Sequence, residues 1–537
     1  MITSAVRHVL RAIVLVLFFG TSFLPDAAHS ASGKTVSIVT DDEIGRAAEH
    51  GLAEIEAALR DKGFAPEHIT GEEAPSGPLL ILGRKDGNGP ASRLIDENDA
   101  ESLADPESLL IRRTKWNDRP ALVLAGGDDR GLMYAALEVA ERIAQTEDDD
   151  PFGRVVETVE SPYVGDRAFS IYTMHPRDFE NRFHNPHYWA RYFDMLARNR
   201  FNRFVLIFGY ENGGYMAPPY PYFFDVPGYP DVRVVGLSEE AQERNLDALN
   251  RMIEMAHDRG LEFTIGIWDH IYRGGVQSGG PREFDEAARG ETRGLVWGID
   301  QDNLMPYSVA ALKALFKEVP KFDSIQFRMH GESGLKRAEM DDFWRDIYEA
   351  VLEARPDIRF DARAKNFPHS LIDLAVEMGV NIRICTKYWM EQQGLPFHPS
   401  HIHPGNQRDR RHGYADLLRY PKTYDVHWRL WNGGTTRILL WASPEYVRRF
   451  AESTHLYDGK GFEVNEMLAT KMNAQPHDME PFELLRPEHQ YYQYEFERYW
   501  HFFQLFGRLG YNLDTPSEVW DREFARRFGD AGPHIAA

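Results

Sequence analysis

The sequence of 537 residues holds a single cysteine, Cys385. An intramolecular disulfide framework is therefore excluded, and stability must come from packing. Cys385 closes the apolar run Ile382-Arg383-Ile384-Cys385, where a buried structural thiol is expected rather than a nucleophile. Basic charge is scarce. Sixty-one Lys and Arg face 83 Asp and Glu, giving a formal net charge of −22, the reverse of what a phosphate backbone attracts, so nucleic acid is not an expected partner. Beyond the amino-terminal segment no stretch approaches the roughly 18 apolar residues of a membrane span. The chain also lacks G-x-S-x-G, G-x-G-x-x-G and a Walker lysine, which speaks against serine-hydrolase chemistry and a nucleotide site.

Apolar material is plentiful, at 43% hydrophobic and 12% aromatic, so disorder is excluded. Arg7 and Arg11 precede the run from Ala12 to Phe19, and Ala28-His29-Ser30 supplies the small residues that a signal peptidase reads. Residues 1–30 are expected to be a signal peptide cut before Ala31, placing the protein in the periplasm or outside the cell without a membrane anchor. Residues 31–150 read as a small α/β domain. Thr35 to Val39 alternates as a strand, and Ile44, Ala48, Leu52, Ile55 and Leu59 follow at helical spacing. Ala121 to Ala125 then runs into Gly126-Gly127-Asp128-Asp129-Arg130-Gly131 and a further helix, a turn read as structural rather than phosphate-binding. Glu147 to Pro151 reads as a solvated linker.

From residue 161 to 475 strands alternate with helices. Eight strand candidates begin near Ala168, Phe204, Phe263, Ser324, Ile358, Asn381, either Val426 or Arg437, and Phe462, the pattern of a (β/α)8 TIM barrel with catalytic groups at the carboxyl ends of its strands. Residues 476–537 read as an aromatic-rich helical region. Only nine residues follow Phe528, which fits a truncated gene product.

The sharpest local signal is Phe327-Arg328-Met329-His330-Gly331-Glu332-Ser333-Gly334, a strand running into a glycine-flanked acid. Glu332 is the first catalytic candidate, a proton donor whose pKa an apolar surround would raise. Glycosidic cleavage needs a second carboxylate. Asp269, Asp361, Glu463 and Glu466 lie on or beyond strands; strand parity lets only one of Glu463 and Glu466 face inward near the top, and Glu466 is favoured, with Asp361 second. Cations crowd the same strand ends: Arg363 and Lys365, Arg383 and Lys387, Arg429 and Arg437. In so acidic a chain they suggest a carboxylate-bearing substrate, the plainer alternative being pairing with acids of the barrel. Trp268, Tyr388, Trp389, Trp428, Trp431 and Trp441 stand beside them as surfaces for sugar rings or as core, while His330 and Asp269 join the substrate-binding set. His398, His401, His403 and His412 fall in a loop without the register of a metal site, so neither metal nor cofactor is expected.

The stretch Leu122 to Ala136, ahead of Ser161-Pro162-Tyr163 and Arg167, resembles the small α/β domain that hexosaminidases and microbial α-glucuronidases place before a catalytic barrel. Trp520-Asp521-Arg522-Glu523-Phe524-Ala525-Arg526-Arg527-Phe528-Gly529 is similar to the helical region behind such barrels. Family 20 hexosaminidases carry an Asp-Glu pair after the fourth strand, whereas this chain has Gly331-Glu332 there. The resemblance therefore implies a family-67-like, α-glucuronidase-like glycoside hydrolase, with Glu332 as acid and Arg363, Lys365 and Lys387 holding the uronate. Two rivals stay open: a polysaccharide lyase in which Tyr388 and the histidine loop act on a uronate, and a carbohydrate-binding protein without catalysis.

Overall fold

The computed structural model describes residues 34–536 apart from 42, 71–72, 148, 174–181, 209–217, 268–292, 294–295, 301, 330–336, 365–366, 386–421, 431–442 and 466–484. The first unit is a six-stranded sheet built from β1 (Lys34–Thr40), β2 (Phe64–His68), β3 (Leu79–Arg84), β4 (Leu109–Trp116), β5 (Arg119–Gly126) and β6 (Thr158–Glu160), in the order β2-β1-β3-β5-β4-β6. Helices Arg46–Asp61 and Asp129–Ala144 cover one face, each burying the apolar stripe expected from its spacing. The turn between β5 and the second helix is structural. Asp128 caps the helix by accepting from the backbone N–H of Gly131 at 2.8 Å. A side chain on Gly131 would lie 2.1 Å from the Ser108 carbonyl oxygen, so the close approach requires glycine.

Eight parallel strands then close a barrel: β7 (Asp166–Thr173), β8 (Arg203–Phe208), β10 (Glu262–Ile267), β12 (Ser324–Arg328), β13 (Arg359–Arg363), β14 (Ile382–Cys385), β15 (Asp425–Leu430) and β16 (Gly461–Asn465). The two-residue strands β9 (Arg233–Val234) and β11 (Val296–Trp297) pair outside it. All eight expected strands are present, most shifted by one or two residues. Their alternation sorts the side chains. Phe169, Ile171, Phe204, Leu206, Phe263, Ile265, Ile325, Phe327, Phe360, Ile384, Trp428 and Val464 join the apolar core under helices such as Pro186–Arg198, Glu239–His257, Leu304–Glu318 and Met340–Ala354. Each large residue so buried contributes about 1.5–3 kcal/mol, and Phe204→Ala would cost about 3–5 kcal/mol. The other parity is turned into the barrel, where charge replaces the branched aliphatics usual in this fold.

Sequence reading misses β2, β6 and the helix His369–Met378, whose Leu371, Ile372 and Ala375 are buried and whose Gly379 caps it at φ 83°. The carboxyl-terminal region folds as expected into helices, Trp500–Tyr511 and Glu518–Phe528, with Trp500, Phe502 and Phe503 buried. Among the described residues no helix is long and apolar enough to cross a membrane.

Candidate active site

Two levels of polar side chains fill the barrel. The deeper one draws on the amino-terminal parts of the strands. Arg203, the first residue of β8, donates to Asp166 at 2.9 Å and to Asp361 at 3.0 Å. Arg383 grips Asp361 with two donors at 2.8 Å each and reaches Asp166 at 2.5 Å. His427 receives Arg203 on Nε2 at 3.1 Å and lies 3.4 Å from Asp166, while Thr264 bonds both Arg203 and Ser324. Arg203, Arg383, Asp361 and His427 are buried, the last two completely, and Asp166 is partly buried. Burial opposes ionisation of Asp361, but Arg383 and Arg203 outweigh it and hold the carboxyl well below the usual range; Asp166 is lowered by the same guanidiniums. Burial, with Arg383 beside it, pushes His427 down to about 4, so it is neutral at pH 7. Arg203 and Arg383, with Arg359 at 3.8 Å from Asp361 and itself paired with Glu262, thus set three guanidiniums against three carboxylates around a neutral imidazole. This level compensates itself.

The level nearer the carboxyl ends is composed differently. Glu463, in the middle of β16, accepts from Gln326 at 2.7 Å and from Arg429 Nε at 2.6 Å. Arg429 also donates through Nη2 to the Tyr172 hydroxyl, and its guanidinium lies 5.7 Å from that ring's centroid. Against the penalty of burial, Arg429 and Arg363 lower Glu463 to about 2. Arg363, the last residue of β13, is paired in register with Arg328, the last of β12. Burial, then Arg429 and Arg328, lower its pKa, the mark of a guanidinium crowded by its own sign. Three guanidiniums and one carboxylate are therefore gathered here among the described residues.

Cys385, His427 and Glu463 offer ligand atoms within 4.8 Å of one another, yet the set does not fit a metal ion. Both Glu463 oxygens and His427 Nε2 already take Gln326, Arg429 and Arg203. Burial raises the pKa of the Cys385 thiol and keeps it protonated, whereas a metal needs the thiolate.

Of the residues anticipated from sequence, the structure brings Arg363 and Arg429 together near the strand ends and sets Asp361 and Arg383 below them. Glu332, Glu466, Lys365, Lys387, Trp268, Asp269, His330, Tyr388, Trp389, Arg437 and the histidine loop lie outside the described residues. The strand register turns Glu463 inward, against the preference for Glu466 drawn from strand parity; β16 ends at Asn465, so its alternation does not govern Glu466. Tyr172, Gln326, Asp166, Arg203 and His427 were not anticipated. The signal for them is a polar residue at alternate positions of an otherwise apolar strand, as in Ser-Ile-Gln-Phe-Arg of β12 and Asp-Val-His-Trp-Arg-Leu of β15.

No protein-family model and no curated protein matches the sequence. Solved structures do. A GH138 enzyme targeting pectin rhamnogalacturonan II superposes over 93% of this chain with a TM-score of 0.65 at 15% identity. The chain spans about half of that protein's length, 54% of it. A mutant Streptomyces plicatus beta-hexosaminidase in complex with its product GlcNAc matches over 93% of this chain and 91% of its own, with a TM-score of 0.52 at 14% identity. Both neighbours are glycoside hydrolases, and at these identities the likeness establishes a shared fold.

Proposed function

We propose that the protein is an exported glycoside hydrolase acting on a uronic-acid-bearing, α-glucuronidase-like oligosaccharide or polysaccharide. What supports this reading is a set of cations at the end where barrel enzymes bind substrate: Arg328 and Arg363 close β12 and β13 in register, and Arg429 lies one residue before the end of β15, bonded to Glu463. Arg forks match carboxylates in geometry as well as charge. The fold shared with two glycoside hydrolases supports the reaction class.

In this reading Glu332, four residues beyond β12, is the general acid that protonates the leaving oxygen. Glu466, directly after β16, is the base or nucleophile. Asp361 is bound on both oxygens by Arg383 and Arg203; we assign it the role of fixed counter-charge and leave the second catalytic function to Glu466. Arg363 and Arg429, with Lys365 and Lys387, receive the uronate, and Trp268 and Trp389 stack on sugar rings. Glu332→Gln is expected to cut turnover roughly 10²–10⁴-fold on uronate-containing oligosaccharides while the circular dichroism spectrum stays unchanged. Wild-type turnover in that variant would remove Glu332 from the scheme. A product absorbing in the ultraviolet, with no net uptake of water, would replace hydrolysis by elimination.

A further inference from the structure

The turn after β3 reads Lys85-Asp86-Gly87-Asn88-Gly89-Pro90 and twice sets a carboxyl or carboxamide side chain in front of a glycine. Each pair is open to ring closure, in which the glycine's backbone nitrogen attacks the preceding side-chain carbonyl carbon. Glycine favours this because it has no side chain to hinder the approach and its backbone rotates readily. Hydrogen bonding then decides which nitrogen can start.

The structure treats the two pairs differently. Asp86 accepts from Arg84 Nε at 3.0 Å, and the N–H of Gly87 donates to the Arg84 carbonyl oxygen at 3.1 Å. Both halves of the first pair are tied, so its nitrogen must break a bond before it attacks. The second pair is not tied. Asn88 is exposed, and among the described residues neither its side-chain amide nor the N–H of Gly89 makes a hydrogen bond. Gly89 is the N-cap of the helix Pro90–Leu94, a position whose N–H lies outside the helical ladder.

We propose that Asn88 is a site of spontaneous covalent modification, converted through a ring with its own backbone to aspartate and β-linked isoaspartate. A bond forms between the Gly89 nitrogen and Asn88 Cγ, the Cγ–Nδ2 bond breaks, and ammonia leaves with the proton given up by the Gly89 N–H. Water, the one co-reactant, opens the resulting succinimide at either carbonyl carbon, restoring the ordinary peptide link or leaving the chain joined through Cγ. The consequence falls on one corner of the small domain. Gly89 packs so closely on Asp41 that a side chain there would run into its carboxylate, and Pro90 and Ala91 behind it are buried. Either product adds a negative charge near Asp41 and Asp86, and the β-linked one also adds a backbone carbon next to that contact, in packing that has little room to absorb it.

The test incubates the full chain in mildly alkaline buffer, folded and in urea, and maps its peptides by mass spectrometry with chromatographic separation of the aspartate and isoaspartate forms. In the folded protein Asn88 should convert at no less than about a tenth of its rate in urea. Isomerisation of Asp86, which needs the Gly87 N–H released, should be slowed by folding about three- to tenfold more than Asn88 is. Asn88→Gln, whose ring would need six members, should abolish both products in that peptide and leave the rest of the map unchanged. An Asn88 that stays intact in the folded protein while the same peptide converts in urea would overturn the proposal, as would equal slowing of the two sites or the same products in Asn88→Gln.

Discussion

Replacing Glu107 by alanine should destabilise the whole protein, because this carboxylate is where three parts of the chain meet. Glu107 stands just before β4 in the small domain, 4% exposed and at a φ of 63°. Its side chain accepts from Arg130 at 2.8 Å, from Asn202 at 2.6 Å, from Tyr134 at 3.4 Å and from the fully buried Arg167 at the start of β7. Its carbonyl oxygen accepts from Tyr511 of the carboxyl-terminal helix at 2.6 Å. Removing the carboxylate strands two guanidiniums: Arg167 keeps its bonds to the carbonyl oxygens of Arg200 and Val164 but loses its only counter-charge among the described residues, and Arg130 loses the same partner.

Breaking one side of a buried ion pair costs about 3–5 kcal/mol, a large share of the 5–15 kcal/mol that holds a typical protein folded. Urea unfolding at pH 7 should therefore show Glu107→Ala about 4 kcal/mol less stable, with the small domain and the barrel losing structure together. Lys317→Ala, which removes an exposed pair with Glu318, should stay within about 0.5 kcal/mol. Acid adds a second reading. Burial opposes ionisation of Glu107, but Arg167 and Arg130 prevail and lower its pKa, so its stabilisation is present above the ordinary glutamate value and fades as pH falls through the depressed one. The variant should lack that acid-sensitive component. A change below 1 kcal/mol at pH 7, or a small domain that melts independently of the barrel, would refute the junction.

The neutral His427 predicts a milder pH effect. With a value near 4 in the folded protein against about 6.5 unfolded, its contribution is complete above pH 6.5 and falls as pH drops towards 4, by about 2 kcal/mol between pH 7 and 5; urea titrations of wild type and His427→Gln should converge over that interval, and parallel curves would contradict the assignment. Cys385, buried and with its thiol pKa raised, should resist a thiol reagent in the native protein and release one equivalent of signal in denaturant. Native-state labelling at the rate of free cysteine would show that the strand end is open to solvent.

The barrel was legible because each strand writes its outward half in large apolar residues, as in Phe204, Leu206 and Phe208 of β8, and because Gly and polar clusters separate those runs from helices with a clear buried stripe. The small strands β2 and β6 were not. Phe64–His68 buries one residue and Thr158–Glu160 none, so edge pairing rather than an apolar period makes them strands. The site was legible in kind and not in depth. Period-two alternation shows which residues enter the barrel, but the stagger between strands sets how far along the axis each one lies, and no local pattern records that stagger.

Strand β13 shows what depth decides. Arg359, Asp361 and Arg363 share one parity and are separated by single apolar residues, so sequence treats Asp361 and Arg363 as equal neighbours of a substrate. In the closed barrel Arg359 pairs with Glu262 at the strand start, at 3.0 Å. Asp361 lies between Arg203 and Arg383, where its charge is cancelled. Arg363, one step further, lies in register with Arg328 and feels Arg429 and Glu463. Each step of two residues along an extended strand moves a side chain about 6.6 Å, enough to pass from one set of charged partners to another. Residue type supplies the charge, and the closing of the ring decides which partners that charge finds at each depth.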